Sequence, residues 1–243
     1  MAVNVDTVYQ RVLAIANKEQ RGYITPQEFN LLANQAQLEI FEQYFYEINQ
    51  FGRLHGNSTE YSDMLDILGE KIAPFEKYKV AMSAVSGNEG TLPTSTTVHK
   101  LGTVFFNKSG TAYDVEVERV EKNNLHQMER TALSKPTEDR PVYVRKTNSV
   151  IKLFPASPTG GYTTSNITCN YIAKPTKVVW GYKVILGNAL FNAAAATDFE
   201  LHASEESTLV MKILELSGVV MNRPDITQVA MTKLAMDEQQ EKQ

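Results

Sequence analysis

The sequence predicts an α+β fold: a bundle of N- and C-terminal helices with an antiparallel β-sandwich or barrel inserted between them. Apolar residues first recur every three or four positions, which is the period of an amphipathic helix. Short runs rich in Val, Thr, Tyr and Phe follow, separated by Gly, Pro and Asn as in antiparallel strands. Helical spacing then returns, so we expect the two helical parts to pack together. The expected parts are residues 1–74 (helical), 75–183 (inserted β module) and 184–243 (helical).

Three helices are expected in the N-terminal part. The first runs from a cap at Asp6 to Gln20 and stops at Gly22, a residue that tolerates left-handed backbone. The second opens at Thr25-Pro26-Gln27-Glu28, a capping box whose hydroxyl and carboxylate each accept an otherwise unpaired backbone N–H. It extends to about residue 51, and a third helix follows over about 58–68.

The second helix carries two adjacent apolar stripes. The first has the spacing of one buried face and consists of Phe29, Leu32, Ala36, Ile40, Tyr44, Ile48 and Phe51. The second begins at Leu31 and continues through Leu38, Phe41 and Phe45. Large contiguous apolar patches are rarely left in water. We therefore expect Leu38, Phe41 and Phe45 to be covered by the C-terminal helices or to form an interface with a neighbouring subunit.

The middle part predicts two hairpins. The first joins strands over 101–106 and 112–117, and the second joins strands over 142–145 and 150–154. A short helix over about 120–131 interrupts the strands, and a strand over 167–173 is expected to pair next to the second hairpin. Several short strands at this spacing are typical of a small sandwich or barrel.

Helices are expected again near the C-terminus. The alanine-rich segment 186–197 is predicted to be helical, and a further helix over about 200–216 is expected to stop at Gly218. Pro224-Asp225 then predicts the start of a last helix.

Charge and composition bear on the class of protein. The 243 residues carry a formal charge of −4, whereas proteins that grip a nucleic-acid backbone usually have a basic excess. Met1 is followed by no signal-like segment, and the most apolar run, 184–196, is shorter than the ~20 residues of a membrane helix. We therefore expect a soluble protein made in a cytoplasm, without membrane contacts. The single cysteine, Cys169, lies in an alternating strand and is expected to be buried.

No catalytic residue, metal site or cofactor is expected. The four histidines lack ligand spacing, and the chain has no phosphate-loop, dinucleotide-binding or nucleophile-elbow motif. Three acidic groups fit structural roles better: a solvated helix face, a wet strand face and a helix start. They are Asp63, Asp66 and Glu70; Asp114, Glu116 and Glu118; and Glu200, His202, Glu205 and Glu206.

One basic and aromatic segment suggests a binding role. Lys71, Lys77 and Lys79 flank Phe75 and Tyr78, a pattern that can bind single-stranded nucleic acid. Lysines on an edge strand also prevent pairing with other chains, and we favour this second explanation.

Several segments carry a family resemblance. They are Val8-Tyr-Gln-Arg-Val-Leu13, Gly22-Tyr-Ile-Thr-Pro-Gln-Glu-Phe29, Arg140-Pro-Val-Tyr-Val144, Ile151 to Pro155, Tyr171 to Pro175 and Asp198 to Glu206. Together they resemble the head–tail connector proteins of short-tailed phages, including the tail-tubular adaptor class and the ring proteins of crAss-like phages. The resemblance implies long helices with an inserted sheet domain and a homo-oligomeric, twelvefold ring that contacts portal and other neck or tail proteins. It implies no individual functional residue.

The expected function is that of a non-enzymatic virion protein, assembled in the host cytoplasm into a ring of the head–tail connector or neck. DNA would pass through this ring without specific binding, and an acidic chain suits such a conduit because it does not grip phosphates. The alternative is a binding module whose β domain recognises carbohydrate or nucleic acid, with stacking faces from Tyr113, Tyr143, Tyr162 and Tyr171. An enzyme with an unrecognised site is a third possibility, for which no residues are named.

Overall fold

The computed structural model describes residues 3–16, 24–51, 59–108, 113–220, 228, 231–233 and 235–236. The chain divides into two compact units: a helical unit of residues 1–74 and 175–243, and a sheet unit of residues 75–174. The α+β class with a sheet module is confirmed. The sheet unit begins at the predicted boundary but ends at 174, so residues 175–183 belong to the helical unit.

The helical unit contains helices from both ends of the chain. They are α1 (Val5–Ala16), α2 (Pro26–Phe51), α3 (Thr59–Ile72) and, after α4 (Lys122–Arg130) of the sheet unit, α5 (Glu206–Val220). α1 and α2 both pack against α5, and α2 also packs against α3. Their shared core includes Phe29, Ile40, Phe41, Leu209 and Ile213, all fully buried.

The first two helices, α1 and α2, begin at side-chain caps. At the start of α2, Thr25 N–H donates to Glu28 Oε2 at 2.9 Å, and Glu28 N–H donates to Thr25 Oγ1 at 3.3 Å, which confirms the capping box. The hydrogen bond from the Thr25 backbone, followed by that from its hydroxyl, lowers the pKa of Glu28 because both favour the ionised carboxylate. α1 is capped by Asn4 Oδ1 and not by Asp6, because Asn4 directly precedes the first helical residue. The predicted stop at Gly22 lies outside the described residues.

Thr25→Ala should destabilise the protein by about 1 kcal/mol, because the amides at the start of α2 lose their hydroxyl partner. Urea unfolding of the two proteins measures the difference. Thr7→Ala, at an exposed position in the first turn of α1, is the control and should stay within about 0.5 kcal/mol of the wild type. Equal effects of the two substitutions would contradict a specific role for the capping box.

The sheet unit contains one mixed eight-stranded sheet in the order β1-β8-β4-β5-β6-β7-β3-β2. The strands are β1 (Glu76–Ala81), β2 (Ala84–Ser86), β3 (Glu89–Thr91), β4 (Val98–Asn107), β5 (Asp114–Arg119), β6 (Val142–Arg145), β7 (Val150–Phe154) and β8 (Ile167–Ala173). The predicted hairpins are confirmed as β4–β5 and β6–β7. Residues 109–112 of the first turn lie outside the described part.

One pairing differs from the prediction in direction, and another differs in strand order. β5 and β6 are parallel, because α4 lies between them and returns the chain to the same end of the sheet. β8 lies between β1 and β4. The sequence predicts instead that this strand pairs beside the second hairpin, next to β7. Strand order of this kind depends on contacts between distant segments, which local periodicity does not encode.

The sheet curls until its two edges meet in one continuous segment. β1 and β2 lie at opposite edges, yet only Met82 and Ser83 separate them in sequence. Met82 N–H donates to Ile167 O at 3.3 Å, and Ser83 N–H donates to Thr91 O at 3.0 Å. One buried cluster fills the interior with residues from both halves, including Phe106, Ile151 and Cys169. This barrel-like closure agrees with the predicted sandwich or barrel.

Cys169 is a buried core residue, as predicted. Burial raises the pKa of its thiol to about 11, because desolvation penalises the thiolate. The thiol is therefore protonated at neutral pH.

The C-terminal helix predictions need correction. Residues 186–197 are not helical: they contain part of a β-hairpin and a short 3₁₀ turn, Ala193–Ala195. α5 starts at Glu206, and it passes through Gly218 to Val220, so that glycine is a buried helix residue and not a stop. Tertiary packing outweighs its weak stop signal. The start of the last predicted helix at Pro224 lies outside the described residues.

Candidate assembly surface

An extended strap, residues 175–181, runs along α2 and is held by amide side chains of that helix. Asn34 Nδ2 donates to Val178 O at 2.8 Å, and Asn34 Oδ1 accepts Val178 N–H at 2.9 Å. Gln37 Nε2 donates to Thr176 O at 2.8 Å. Positions three and four apart share one helix face. These side chains therefore form a ladder of hydrogen bonds that pairs the backbone of the strap, as a neighbouring β-strand would.

Trp180 anchors the end of the strap. Its backbone N–H donates to Asn30 Oδ1 at 2.7 Å, and its indole Nε1–H donates to Asp6 Oδ1 at 2.9 Å. The indole is buried, with the ring of Tyr9 at a centroid distance of 4.4 Å. Satisfied polar groups around a buried aromatic ring fix the strap in one conformation.

The next residues close the base of a hairpin. Gly181 has no room for a side chain, because a Cβ there would lie 2.5 Å from the backbone carbon of Ala195. Its carbonyl accepts Asn192 N–H at 2.8 Å, and Thr197 N–H donates to Val179 O at 2.8 Å. The hairpin therefore emerges from a fixed base.

Asn34→Ala should destabilise the protein by about 2–3 kcal/mol, because it leaves the N–H and C=O of Val178 without partners in a partly buried position. Denaturant unfolding measures the loss. The matched control is Asn49→Ala on the same helix, where the amide donates to Phe45 O one turn earlier at an exposed site. It should cost less than about 0.5 kcal/mol. Similar losses in both variants would contradict the ladder.

The hairpin consists of β9 (Tyr182–Ile185) and β10 (Asn188–Phe191) joined by Leu186-Gly187. Both turn residues have positive φ, 51° for Leu186 and 82° for Gly187, as a tight two-residue hairpin turn requires. Glycine suits this backbone, but leucine does not, and asparagine or aspartate is the usual choice at the first position. A leucine kept in a strained conformation at a turn points to a role outside the hairpin itself.

The outer part of the hairpin is apolar and exposed on both faces. Leu186 at the tip is 98% exposed, Val184 is 65% exposed, and Ile185 and Leu190 are 53% and 52% exposed. The alternation of strands places Val184 on one face and Ile185 with Leu190 on the other. At the base, the rings of Phe191 and Tyr182 pack on Trp180. A concentration of large apolar side chains in water marks an interaction surface.

The strap and the hairpin are positively charged, whereas the rest of the helical unit is negatively charged. Residues 175–197 contain Lys177 and Lys183 and no acidic residue. The whole helical unit has 11 Lys and Arg against 19 Asp and Glu, a net charge of −8. The hairpin is thus an apolar, weakly basic projection from an acidic unit.

The predicted interface residues on α2 are only partly available. Phe41 is 1% exposed, so it belongs to the core of its own chain and cannot contact another subunit. Its ring packs edge-on against Phe45 at a centroid distance of 5.0 Å, and Phe45 and Leu38 are half-buried. α2 instead exposes Leu31, near the hairpin end of the helix, and Tyr46 towards its other end. For Phe41 this is the first of the two expected alternatives, cover within its own chain, and α2 packs against both α3 and α5.

The acidic group at 200–206 lies at the start of α5, as predicted, and two of its carboxylates also form ion pairs that were not predicted. Glu205 is buried and pairs with Lys71 at 2.8 Å, and Glu206 pairs with Arg11 at 2.9 Å. His202 Nδ1 accepts the Ser204 N–H at 3.3 Å and caps the turn before α5. Asp66 and Glu70 are exposed on α3, whereas the side chain of Asp63 lies outside the described residues.

On the strand face, Asp114 pairs with Lys79 at 2.6 Å, while Glu116 and Glu118 are exposed. The stacking tyrosines of the alternative function are mostly unavailable: Tyr143, Tyr162 and Tyr171 are buried, and Tyr113 is exposed. In the part of the chain that the structure describes, no group of three or more His, Cys, Asp or Glu is arranged to hold a metal ion. Every helix within the described ranges is too short or too polar to cross a bilayer.

Sequence reasoning missed the hairpin. Tyr182–Ile185 and Asn188–Phe191 are two four-residue runs around a glycine, which is a hairpin signal. The neighbouring alanines favoured a helix instead. No protein-family model matches this chain, and no curated protein matches it either.

Proposed function

We propose that this chain is a non-enzymatic structural subunit that forms a homo-oligomeric ring in the head–tail connector or neck of a tailed phage. The observation that carries the proposal is the exposed apolar hairpin β9–β10, with Val184, Ile185, Leu186 and Leu190 in water. Burying a side chain of this size stabilises a complex by about 1.5–3 kcal/mol. The hairpin is therefore the surface through which the subunit joins a partner.

The partner at the hairpin is a second copy of this chain. Apart from Lys177 and Lys183 in and beside the hairpin, the helical unit is strongly acidic. Its helices present exposed acidic and apolar side chains together, for example Asp66, Ile67 and Glu70 on α3. A basic, apolar projection and an acidic surface with exposed apolar residues are complementary in charge and in polarity.

A contact between two different surfaces of one chain has consequences for assembly. Such a contact is head-to-tail, and repetition by rotation closes it into a ring. The segments from Val8 to Glu206 that resemble phage connector proteins support the neck as the location of this ring. Within it the subunit would contact portal and other neck or tail proteins, and DNA would pass through the centre.

Electron microscopy of the purified particle tests the proposal. We expect closed cyclic copies of this chain around a central channel. A single copy without neighbours of its own kind, or a chain with a substrate in a cleft, would contradict it. Isolated protein is a weaker test, because a subunit that assembles on a preformed ring is monomeric in solution.

A further inference from the structure

The sheet unit differs in charge from the rest of the chain. Residues 75–174 contain 13 Lys and Arg against 9 Asp and Glu, a net charge of +4, whereas the helical unit carries −8. The positive charge of this unit attracts anions more strongly than the rest of the chain does. The expectation that an acidic chain does not grip phosphates rests on the overall charge of −4 and therefore does not apply to the sheet unit.

A groove of about 330 Å³ lies in this unit where β1, β8 and β4 run side by side. β8 buries Cys169 and Tyr171 on one face and turns Asn170 and Ile172 to the other. The groove is lined by Glu76, Lys77, Tyr78, Lys100, Gly102, Thr103, Asn170, Tyr171 and Ile172. Two lysines, one acid, two tyrosines and an amide are therefore among the residues around the groove.

Irregular pairing on both sides of β8 shapes the groove. The register shifts between Lys77 and Val80 in β1, and again between Leu101 and Val104 in β4. Asn170 Oδ1 accepts the Lys79 N–H at 2.8 Å and holds the first irregularity, where Lys79 has a φ of 48°. Gly102 lacks a side chain where a Cβ would approach Asn170 O to 3.1 Å, so the strands stay close. Bulges of this kind re-aim side chains beside binding sites.

Tyr78 lines the groove and is 73% exposed. Beside it, Lys79 Nζ lies 5.7 Å from the ring centroids of Tyr78 and Phe105 and is paired with Asp114 at 2.6 Å. Lys79 is not among the residues that line the groove. Lys100, which is exposed, and Lys77 are the lysines that line the groove itself.

We infer that this groove binds the phosphodiester backbone of nucleic acid, with Lys77 and Lys100 at phosphates and Tyr78 stacked on an adjacent base. Lysine ammonium groups neutralise phosphates, and an exposed aromatic ring between them stacks on unpaired bases. Duplex and single-stranded DNA share the phosphate chemistry, whereas only a single strand offers a free base to Tyr78. Binding at this groove goes beyond ring formation, because it requires only the sheet unit of one chain.

This inference can be tested by fluorescence anisotropy. The full chain is titrated against short labelled oligonucleotides, single- and double-stranded, over a range of salt concentrations. Binding of the wild type should weaken linearly in log K against log salt. Lys100→Ala should reduce that slope by about 0.9 for a duplex and about 0.7 for a single strand, and so should Lys77→Ala. Tyr78→Ala should weaken single-strand binding at least about fivefold and leave the duplex unchanged.

The matched control is Lys135→Ala, which removes the same charge from an exposed position elsewhere in the sheet unit. It should leave the slope unchanged, and circular dichroism should show all four variants folded. If Lys100→Ala and Lys135→Ala changed the slope equally, binding would depend on the net charge of the unit and not on the groove. That result would overturn the inference. Absence of salt-dependent binding to either oligonucleotide would overturn it as well, as would binding of a sulfated polysaccharide alone.

Discussion

Leu186→Asn is expected to weaken assembly while it stabilises the isolated subunit. Leu186 has a φ of 51° and is 98% exposed, so the hairpin carries a strained leucine that gains little from its own chain. Asparagine tolerates this backbone, and relief of the strain should be worth about 1 kcal/mol. Loss of the apolar tip should remove about 1.5–3 kcal/mol per contact, which is at least a tenfold weaker association. The number of copies of the variant chain in purified particles, together with thermal unfolding of the isolated subunit, measures both effects.

Leu133→Asn is the control for this substitution. Leu133 is a leucine of the sheet unit with a similar exposure, 91%, outside the proposed interface. Its replacement should leave assembly unchanged. Normal assembly of Leu186→Asn, or an equal loss in both variants, would contradict a specific role for the hairpin tip.

Lys71→Met is expected to destabilise the helical unit by about 3–5 kcal/mol. Lys71 lies in the last turn of α3, and its Nζ is 2.8 Å from Oε1 of Glu205, which directly precedes α5. The two side chains are only 12% and 8% exposed. Removal of the lysine leaves the Glu205 carboxylate buried without its cation. Lys71→Met combined with Glu205→Leu should recover most of the loss, because a buried ion pair can be replaced by apolar residues at little cost. Urea unfolding of the single and double variants measures these differences.

Lys212→Met provides the comparison. Lys212 pairs with Glu39 at 3.6 Å, and the two side chains are 21% and 39% exposed. Because water screens this longer pair, its loss should cost less than about 1 kcal/mol. Equal losses for Lys71 and Lys212 would mean that burial does not set the strength of the Lys71 pair.

Local signals predicted the parts of the fold that local forces determine. The box Thr25 to Glu28 placed the start of α2, and turn residues located the hairpins β4–β5 and β6–β7. The strap along α2 could not be predicted in this way. Asn34 on α2 and Val178 in the strap are 144 positions apart. An amide side chain on a helix does not indicate which distant segment it will hydrogen-bond.

The candidate surface was harder to predict because apolar residues are ordinarily assigned to the interior. Leu38, Phe41 and Phe45 are expected to be covered either by the C-terminal helices or by a neighbouring subunit, and for Phe41 the cover lies within its own chain. Leu186 was placed in a helix, but the left-handed turn puts it at an exposed tip. Periodicity identifies apolar side chains and does not say whether the same chain or another copy covers them.

The most direct test of the central claim is photo-crosslinking from the hairpin tip in the assembled particle. A photoreactive amino acid at position 186 should cross-link one copy of this chain to another, and peptide mapping should place the second end on the acidic helical surface. The same amino acid at position 133 is the control and should give no such product. Cross-links from position 186 only within its own chain, or only to a different protein, would contradict assembly through this hairpin.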